Sequence, residues 1–343
     1  MHALRAPNSF QILSPAGPLL QPCMVTNPIP GAGEVLIEVA AAGVNRADIL
    51  QTHGHYAPPA GSSDIPGLEV AGVVRECGSH VRHIRQGDRV MALVTAGGYG
   101  EFVVADAASV MVIPENISMV DAAAFVEAAC TIWSNLFDVA HFTSGETVLI
   151  HGGSGGVGSL ALQITSALGA TVLTTARTPE RAARCTDLGA HTAWAYGEHV
   201  DAHGKSTFAD ALPTLVAQAT NQRGCDIILD VTGASLLGAN VHSLATGGRL
   251  IVIGMQKGAT GTLPLGPLLA KRASIHGTTL RSRPREERAR IVKGVTTDLL
   301  PLLAAGRIRP VVHEVWDMQE AARAHEQLLG GDVFGKLVLE PRW

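Results

Sequence analysis

The stretch TVLIHGGSGGVGSLALQITSALGA, from Thr147 to Ala170, decides the fold. It predicts an apolar strand, a tight glycine turn and a helix, and Gly153, Gly155 and Gly158 within it form the pattern GxGxxG. One glycine permits the turn, one lets backbone N–H groups approach a pyrophosphate, and one lets the helix pack closely against the strand. The positive end of the helix dipole also points at this turn. The stretch therefore indicates a dinucleotide-binding loop, and the alternative is a purely structural turn.

Short apolar strands and helices alternate from this loop onwards. Strands are predicted near 147–151, 171–176, 192–195, 226–231, 249–253 and 274–279, and helices near 156–168, 179–188, 208–221, 234–245 and 264–272. The runs VLI, IILDV and LIVI are apolar throughout, as expected of strands buried on both faces. This βαβαβ pattern is typical of an α/β fold with a doubly wound parallel sheet, the Rossmann arrangement.

The chain on either side of the alternating region has a different pattern. Val- and Ile-rich segments punctuated by Gly and Pro predict a small curled sheet or barrel, with strands in 33–44, 67–78, 87–94 and 99–114. The tail predicts helices over 284–304 and 317–329 and a closing strand over 335–341, which needs a partner in the N-terminal sheet. We therefore expect an N-terminal β domain over 1–123, a nucleotide-binding domain over 124–272, and a return to the first domain over 273–343.

Bulk composition excludes several classes of protein. The 343 residues carry a formal net charge of −4, which counts against a nucleic-acid-binding surface. No uninterrupted run of 18 apolar residues predicts a membrane helix, and the start MHALRAPNSFQIL lacks the apolar core of a signal peptide. The five cysteines are scattered and form no CxxC, so we expect a reducing, cytoplasmic compartment.

The residues after the second strand indicate which dinucleotide binds. An NAD site places Asp or Glu at this strand end to hold the ribose 2′-OH, whereas this chain has Ala176-Arg177-Thr178, followed by Arg181. Guanidinium groups and a hydroxyl suit a 2′-phosphate, so the sequence predicts NADPH rather than NADH. The alternative is that Arg177 and Arg181 are solvated charges and that Glu180 pairs with one of them.

Over essentially its whole length the chain resembles the medium-chain dehydrogenase/reductase superfamily, which combines a GroES-like β domain with a Rossmann domain. Zinc alcohol dehydrogenases of that superfamily carry Cys where this sequence has Asn45, and GHE where it has Gly67-Leu68-Glu69. Their four-cysteine structural zinc loop is absent here. Asn and Leu do not suit a catalytic zinc site, and we interpret His53 and His55 as loop histidines. The sequence thus predicts no metal.

The zinc-free, zeta-crystallin-like quinone oxidoreductases are the more similar branch. GVNRADILQTHGHYAPPAG (43–61), GLEVAGVV, HGGSGGVG and FGKLVLE resemble their motifs, and TTLRSRP (278–284) resembles the branch that contains the tumour-suppressor-induced human quinone oxidoreductase. Many relatives have Gly-Ser where this chain has Arg177-Thr178. The contacts with the 2′-phosphate are therefore expected to be shared differently here.

The resemblance implies roles for individual residues. Asn45, Tyr56 and Thr131 are the expected catalytic set beside the nicotinamide and substrate. The expected cofactor-binding residues are Gly153, Ser154, Gly155, Gly156, Val157 and Gly158 at the pyrophosphate; Arg177, Thr178, Arg181 and Tyr196 at the adenosine end; Thr232, Gly233, Ile253, Gly254 and Met255 at the carboxyl edge of the sheet; and Phe334, Gly335 and Lys336 from the returning segment.

Simpler interpretations exist for some of these residues. Asn45 is also placed to cap the following helix, and Asp48 favours the first turn of that helix. Tyr56 could be ordinary loop packing, and Met255 is better explained as packing than as chemistry.

Three functions fit the sequence. The first is reduction of a quinone by NADPH, because hydride transfer leaves an oxyanion that water or a hydroxyl can protonate without zinc. The second is reduction of an activated alkene, such as an enone or enoyl thioester, with Tyr56 donating the proton. The third is a non-catalytic NADPH-binding protein. Oxidation of an alcohol is disfavoured, because its alkoxide needs a base and a stabilising cation.

A homodimer is the expected assembly. In the superfamily the Rossmann edge strand pairs with its mate, and we place that edge at the strand near 249–253. An exposed apolar edge such as RLIVIG would otherwise invite aggregation.

Overall fold

The computed structural model describes residues 9–13, 20–26 and 28–342. Most of the sequence start, on which the prediction about a signal peptide rests, and the side chain of Cys23 lie outside the described part. Contacts between Cα atoms divide the chain into two compact units. Unit 1 ends at Cys130 and resumes at Arg281, and unit 2 spans Thr131–Leu280. The sequence pattern placed these changes after residues 123 and 272, and the domain limits stay a prediction.

The first segment of unit 1 is mostly β-structure. Its elements are β1 (Ser9–Leu13), β2 (Gln21–Val25), β3 (Glu34–Gly43), α1 (Arg46–Thr52), β4 (Glu69–Cys77), β5 (Arg89–Leu93), β6 (Phe102–Asp106), β7 (Val110–Val112) and α2 (Met119–Trp133), which continues into unit 2. Strand β3 alternates buried and half-buried residues and pairs antiparallel with both β4 and β6. The register of its pairing with β4 shifts at two places, as it does at β-bulges.

Unit 2 is a doubly wound α/β sheet. Its elements are a π-helical turn (Ser134–Val139), β8 (Thr147–His151), α3 (Gly156–Ala167), β9 (Thr171–Ala176), α4 (Pro179–Asp187), β10 (Thr192–Ala195), α5 (Phe208–Ala219), β11 (Cys225–Asp230), α6 (Leu237–Ser243), β12 (Leu244–Val252), α7 (Leu265–Ala270) and β13 (Ser274–Gly277). The strand order is β10-β9-β8-β11-β12-β13, with every pair parallel. The order reverses beside β8, which places the glycine loop at the switch point where such sheets bind ligands.

The returning segment completes the sheet of unit 1. It comprises α8 (Arg285–Gly294), a π-helical turn (Val295–Leu299), α9 (Leu300–Ala304), β14 (Val312–Asp317), α10 (Ala321–Gly330) and β15 (Lys336–Glu340). Strand β15 pairs antiparallel with β3 and parallel with β14. The prediction that the closing strand finds its partner in the N-terminal sheet is therefore confirmed, as is the fold class.

Three local predictions were wrong. The strand at 249–253 is not an edge, because β12 lies between β11 and β13, and β13 forms the edge instead. The helix predicted over 284–304 is interrupted by the π-helical turn Val295–Leu299. Pro301 lies just after this turn and has no backbone N–H to donate to a regular helix. Strand β14 was not predicted at all; its exposed and half-buried residues lack the apolar run used to find strands.

Among the described residues, no helix is both long enough and apolar enough to cross a membrane.

Candidate functional site

The glycine loop of unit 2 joins the carboxyl end of β8 to α3. Gly152 has φ +72°, in the left-handed region that favours glycine. A Cβ on Gly158 would overlap the carbonyl oxygen of Gly152 and lie 2.8 Å from the Cα of Gly153, so this glycine allows the helix to approach the loop. A Cβ on Gly155 would meet nothing nearer than 3.4 Å. Gly155 therefore leaves open space at the N-terminus of α3, where unpaired N–H groups attract a phosphate.

A buried polar network supports this loop from below. His151, at the end of β8, has Nε2 2.8 Å from Asn240 Oδ1 and Nδ1 3.1 Å from Thr175 Oγ1. Asn240 Nδ2 donates to Asp230 Oδ2 at 3.3 Å. Burial lowers the pKa of His151, against the opposing charge of Asp230, and so favours the neutral imidazole. The network thereby links the ends of β8, β9 and β11.

Asp230 also shapes the next turn along the sheet edge. Its carboxylate accepts hydrogen bonds from the backbone N–H groups of Thr232 at 2.6 Å and Gly233 at 3.1 Å. Gly233 has φ +83°, and a Cβ there would lie 2.7 Å from the Gly258 carbonyl oxygen. The predicted residues Thr232 and Gly233 are thus held in one conformation at the carboxyl edge.

The other predicted residues of this edge follow β12. Ile253 donates its backbone N–H to Asp230 O at 2.8 Å, and Gly254 packs so closely that a Cβ would lie 2.9 Å from Val231 O. The Met255 side chain is 63% exposed. Met255 is therefore not a buried core residue of unit 2, and its role stays a prediction.

The predicted adenosine residues cluster at the ends of β9 and β10. Arg177 is exposed, and Thr178 caps α4 by accepting the backbone N–H of Arg181 at 3.4 Å. Gly197 donates its N–H to Arg177 O at 3.0 Å, which fixes neighbouring Tyr196 beside the same strand end. A hydrogen bond with the Thr178 side chain lowers the pKa of Glu180, a surface carboxylate. Basic and hydroxyl groups therefore occupy the place where an NAD site has an acid.

Thr131 lies where α2 enters unit 2. It is 8% exposed, and its carbonyl oxygen accepts hydrogen bonds from Asn135 Nδ2 at 2.7 Å and Ser134 Oγ at 3.1 Å. The amide oxygen of Asn135 accepts in turn from Thr278 Oγ1 at 2.6 Å. Thr131 is thus anchored within unit 2 by a buried amide that the sequence patterns did not indicate.

A buried ionic cluster contains Asn45 in unit 1. Lys336 Nζ forms an ion pair with Glu69 Oε1 and donates to Asn45 Oδ1 at 2.7 Å. Asn45 Nδ2 donates to the same Glu69 oxygen at 2.8 Å, and Glu127 N donates to Glu69 Oε2 at 2.8 Å. Glu69 is 0% exposed and Lys336 5%. The cluster fixes the orientation of the Asn45 amide, because each end of that amide meets a charged partner.

These residues do not suit a zinc ion. The described residues contain no group of three His, Cys, Asp or Glu side chains that could hold a metal. The Lys336 ammonium already neutralises Glu69, and Asn45 and Leu68 stand where zinc enzymes of the superfamily carry Cys and His. His53 is exposed, and its Nδ1 lies 2.8 Å from Ile49 O, consistent with a loop histidine.

Tyr56 lies against a buried arginine of unit 1. Arg281, 6% exposed, donates from Nε to Thr95 O at 2.7 Å, from Nη1 to Tyr56 O at 3.2 Å, and from Nη2 to Gln51 Oε1 at 2.6 Å. Its guanidinium carbon lies 5.3 Å from the centroid of the Tyr56 ring. Burial raises the pKa of Tyr56, and the charge of Arg281 opposes that rise. The phenol is therefore half-buried and protonated, and its ring lies against the guanidinium.

The returning residues Phe334, Gly335 and Lys336 precede and begin β15. Phe334 is 2% exposed, and Gly335 has φ +96°, with its Cα against the Val311 carbonyl. Lys336 donates its backbone N–H to Val311 O at 2.8 Å. The side chains of Phe334 and Lys336 are thus buried inside unit 1.

Unit 1 also contains a cavity of about 720 Å³, lined among others by Gly33, His80, Thr95 and Arg285. No predicted site residue lines it, although all of them lie in the described part of the chain. Arg285 is paired with Asp106, so the lining offers no uncompensated charge from that arginine.

The structure thus adds residues that sequence patterns did not indicate: Glu69, Arg281, and the network of His151, Asn240 and Asp230. Glu69 and Lys336 are 267 positions apart, so no local pattern could reveal their pairing. Arg281 belongs to TTLRSRP, which marked a family branch without indicating a role.

Comparison with known proteins agrees with this architecture. The family model of the alcohol dehydrogenase GroES-like domain matches residues 31–115, and the model of zinc-binding dehydrogenases matches residues 156–295. The quinone oxidoreductase of Sus scrofa is 33% identical over 319 residues, which cover 92% of this chain and 91% of the relative.

Solved structures give the same picture. A quinone oxidoreductase from Pseudomonas syringae has a TM-score of 0.84 at 28% identity, over 97% of this chain and 100% of that one. A mycobacterial protein complexed with NADPH has a TM-score of 0.85 at 28% identity, with the same coverage. The predicted resemblance is confirmed: the chain belongs to the medium-chain dehydrogenase/reductase superfamily of oxidoreductases.

Proposed function

We propose that this oxidoreductase uses NADPH to reduce a quinone without a zinc ion. The observation that carries the proposal is the buried cluster of Asn45, Glu69 and Lys336, which replaces a zinc ligand set with a fixed ammonium group. Alcohol oxidation needs a base and a cation for the alkoxide, whereas reduction of a quinone needs neither. The relatives named quinone oxidoreductases support the same acceptor.

The residues of unit 2 suit NADPH. The open N-terminus of α3 at Gly155 would receive the pyrophosphate, and Arg177, Thr178 and Arg181 would surround the 2′-phosphate. The NADPH complex of the mycobacterial neighbour supports this cofactor. NADPH, when bound, supplies the hydride, and the protein's residues supply binding and orientation.

The acceptor is assigned to unit 1. The Asn45 amide nitrogen has a second N–H beyond the one it donates to Glu69, and this N–H can donate to a quinone carbonyl. Tyr56 carries its phenolic proton on a ring that lies against the Arg281 guanidinium, and this proton, or one from water, can neutralise the oxyanion that forms on the reduced quinone.

The test is NADPH oxidation followed by absorbance, with a simple quinone and a simple enone in parallel and a chelator in both. Metal content is measured in the same preparation. Quinone turnover that survives the chelator is the expected result. Loss of turnover with the chelator, restored by zinc, would overturn the metal-free proposal, and tight NADPH binding without turnover would favour a binding protein.

Reduction of an activated alkene is the second candidate, and the geometry of Tyr56 favours it. The Tyr56 phenol is half-buried, its ring lies beside the Arg281 guanidinium, and the same arginine bonds the Tyr56 backbone carbonyl, so the phenol is a suitable donor of a proton to the α-carbon of an enone. Tyr56→Phe separates the two candidates. It should lower enone turnover strongly while quinone turnover changes little, because water can protonate the quinone oxyanion. Equal losses would assign Tyr56 to binding alone.

We also propose a homodimer built on β13 rather than β12. Strand β13 is the edge of the unit 2 sheet, and the preceding α7 exposes Leu265 and Leu269. An unpaired edge next to exposed leucines is a surface that proteins normally cover.

The cytosol is the proposed compartment. The described cysteines, Cys77, Cys130, Cys185 and Cys225, are free thiols, as expected where thiols are kept reduced.

A further inference from the structure

Three buried ionisable side chains of unit 1, those of Asp48, Tyr99 and His325, form a hydrogen-bonded triad that the proposed reaction does not use. The Tyr99 hydroxyl lies 3.1 Å from Asp48 Oδ2 and 3.1 Å from His325 Nε2. Asp48 and Tyr99 are 0% exposed and His325 is 6% exposed. They come from α1, from the loop between β5 and β6, and from α10, so the fold alone brings them together.

With a neutral imidazole, and with any Asp48 proton on Oδ2, two arrangements of this triad satisfy both contacts, because the Tyr99 hydroxyl carries a single proton. In the first, Tyr99 donates to an ionised Asp48 and accepts from a proton on His325 Nε2. In the second, a protonated Asp48 donates to Tyr99, and Tyr99 donates to His325 Nε2, so the imidazole proton is on Nδ1. The charge of Asp48 and the tautomer of His325 must therefore change together.

The triad reaches the first turn of α1 through Asp48, and Asn45 is the residue that caps this turn. Asn45 N donates to Asp48 Oδ2 at 2.8 Å, the same oxygen that faces Tyr99, and Gly67 N donates to Oδ1 at 3.1 Å. A carboxylate accepts such bonds much more strongly than a neutral acid. A proton on Asp48 therefore weakens the cap that fixes the backbone of Asn45.

Burial and the charges around the triad indicate that Asp48 is the residue whose charge changes. Burial raises its pKa to about 6, against the hydrogen bonds from Asn45, Gly67 and Tyr99 and the charge of Lys336. Burial lowers the pKa of His325 to about 4, helped by the charge of His53, so the imidazole is neutral when Asp48 titrates. Two further charged groups among the described residues act on the triad, Glu69 at the start of β4 and Arg281 before α8.

We propose that the triad of Asp48, Tyr99 and His325 positions Asn45, and that it does so in a way that depends on one proton. One proton taken from solvent at His325 Nδ1 sends the Nε2 proton to Tyr99 and the Tyr99 proton to Asp48, and ionisation runs the same steps in reverse. The effect on Asn45 rests on the proposed function, whereas the exchange of tautomers does not.

The exchange is tested by nuclear magnetic resonance on protein with ¹⁵N-labelled histidine. As the pH falls through about 6, the His325 proton should move from Nε2 to Nδ1 without a gain of charge on the ring. His151 is the internal control, because Asn240 and Thr175 fix its tautomer. Tyr99→Phe, which removes only the hydroxyl, should abolish the exchange. The proposal is overturned if the His325 tautomer does not change with pH, or if it still changes in Tyr99→Phe.

The effect on the reaction is tested by the pH dependence of kcat and KM. We expect kcat to fall below about pH 6, with opposite shifts in two variants. Tyr99→Phe removes a donor to ionised Asp48 and should raise the midpoint by about half a pH unit or more, whereas His325→Leu removes the acceptor needed by the protonated arrangement and should lower it. Midpoints that do not move, or that move together, would leave the three residues a purely structural role.

Failure of the proposed function is recognised separately. If Asn45→Ala leaves kcat and KM unchanged, Asn45 takes no part in the reaction. The ¹⁵N measurement then still decides whether the triad exchanges its proton. Thermal unfolding of each variant checks that it is folded at the pH values used.

Discussion

At the scale of single residues, Lys336 has a partner that the sequence did not indicate. The resemblance implies that this lysine closes over the cofactor, which stays a prediction, and the structure places its ammonium between Glu69 and Asn45 inside unit 1. A buried ion pair costs both partners their hydration, and its loss leaves the remaining charge without compensation. The side chain therefore belongs first to the architecture of the Asn45 site.

Lys336→Met should lower the free energy of unfolding by about 3–5 kcal/mol, because it leaves the Glu69 carboxylate buried and unpaired. The double variant Lys336→Met/Glu69→Gln should recover most of this loss, since it removes both charges. Urea unfolding of the two variants and the parent protein measures the difference. A double variant no more stable than the single one would show that the ion pair is not the cause.

The proposed preference for NADPH also rests on individual side chains. Arg177→Ala and Arg181→Ala should each weaken NADPH binding about 10- to 100-fold and NADH binding little, because a hydrogen bond to a charged group contributes about 1.5–3 kcal/mol. Arg184→Ala, one turn further along α4, is the matched control and should affect neither. Binding is measured by titration of cofactor fluorescence. Equal weakening of NADPH and NADH would show that the 2′-phosphate binds elsewhere.

At the scale of elements, the glycines of the phosphate loop separate folding from binding. Gly158→Ala should destabilise the protein by about 1–3 kcal/mol, since its Cβ would meet the backbone of Gly152 and Gly153. Gly155→Ala should leave stability nearly unchanged, because nothing lies within 3.4 Å of its Cβ, yet it should weaken NADPH binding by filling the open phosphate space. Thermal unfolding with and without NADPH distinguishes the two. Similar losses of stability would contradict the assignment.

Elements with a strong local pattern could be predicted from the sequence, and those set by pairing could not. The six strands of unit 2 were found because apolar runs alternate with helices. The edge was misplaced at β12 because strand order depends on which strands hydrogen-bond, and Ser274–Gly277 is too short and half-buried to be recognised as an edge. Likewise, GxGxxG located the loop, but nothing local linked His151 with Asn240 and Asp230 beneath it.

At the scale of the whole molecule, unit 1 depends on two distant parts of the chain. Strand β15 pairs with β3, and Lys336 and Arg281 of the returning segment hold Asn45 and Tyr56 of the first segment. The substrate residues proposed here are therefore assembled only when the chain after unit 2 has folded back. A motif search confined to either segment finds one half of each contact.

The proposed homodimer is also a property of the whole molecule. Leu269 is 75% exposed on α7, directly before the edge strand β13. If this surface joins two copies, Leu269→Glu buries a charge in the interface and should convert the dimer into a monomer. Leu329→Glu is the matched control, because Leu329 is 48% exposed on α10 of unit 1 and should leave the dimer intact. Light scattering coupled to size-exclusion chromatography measures the mass of each variant. A Leu269→Glu protein that remains dimeric would place the interface elsewhere, and a parent protein that is monomeric would remove the dimer from the proposal.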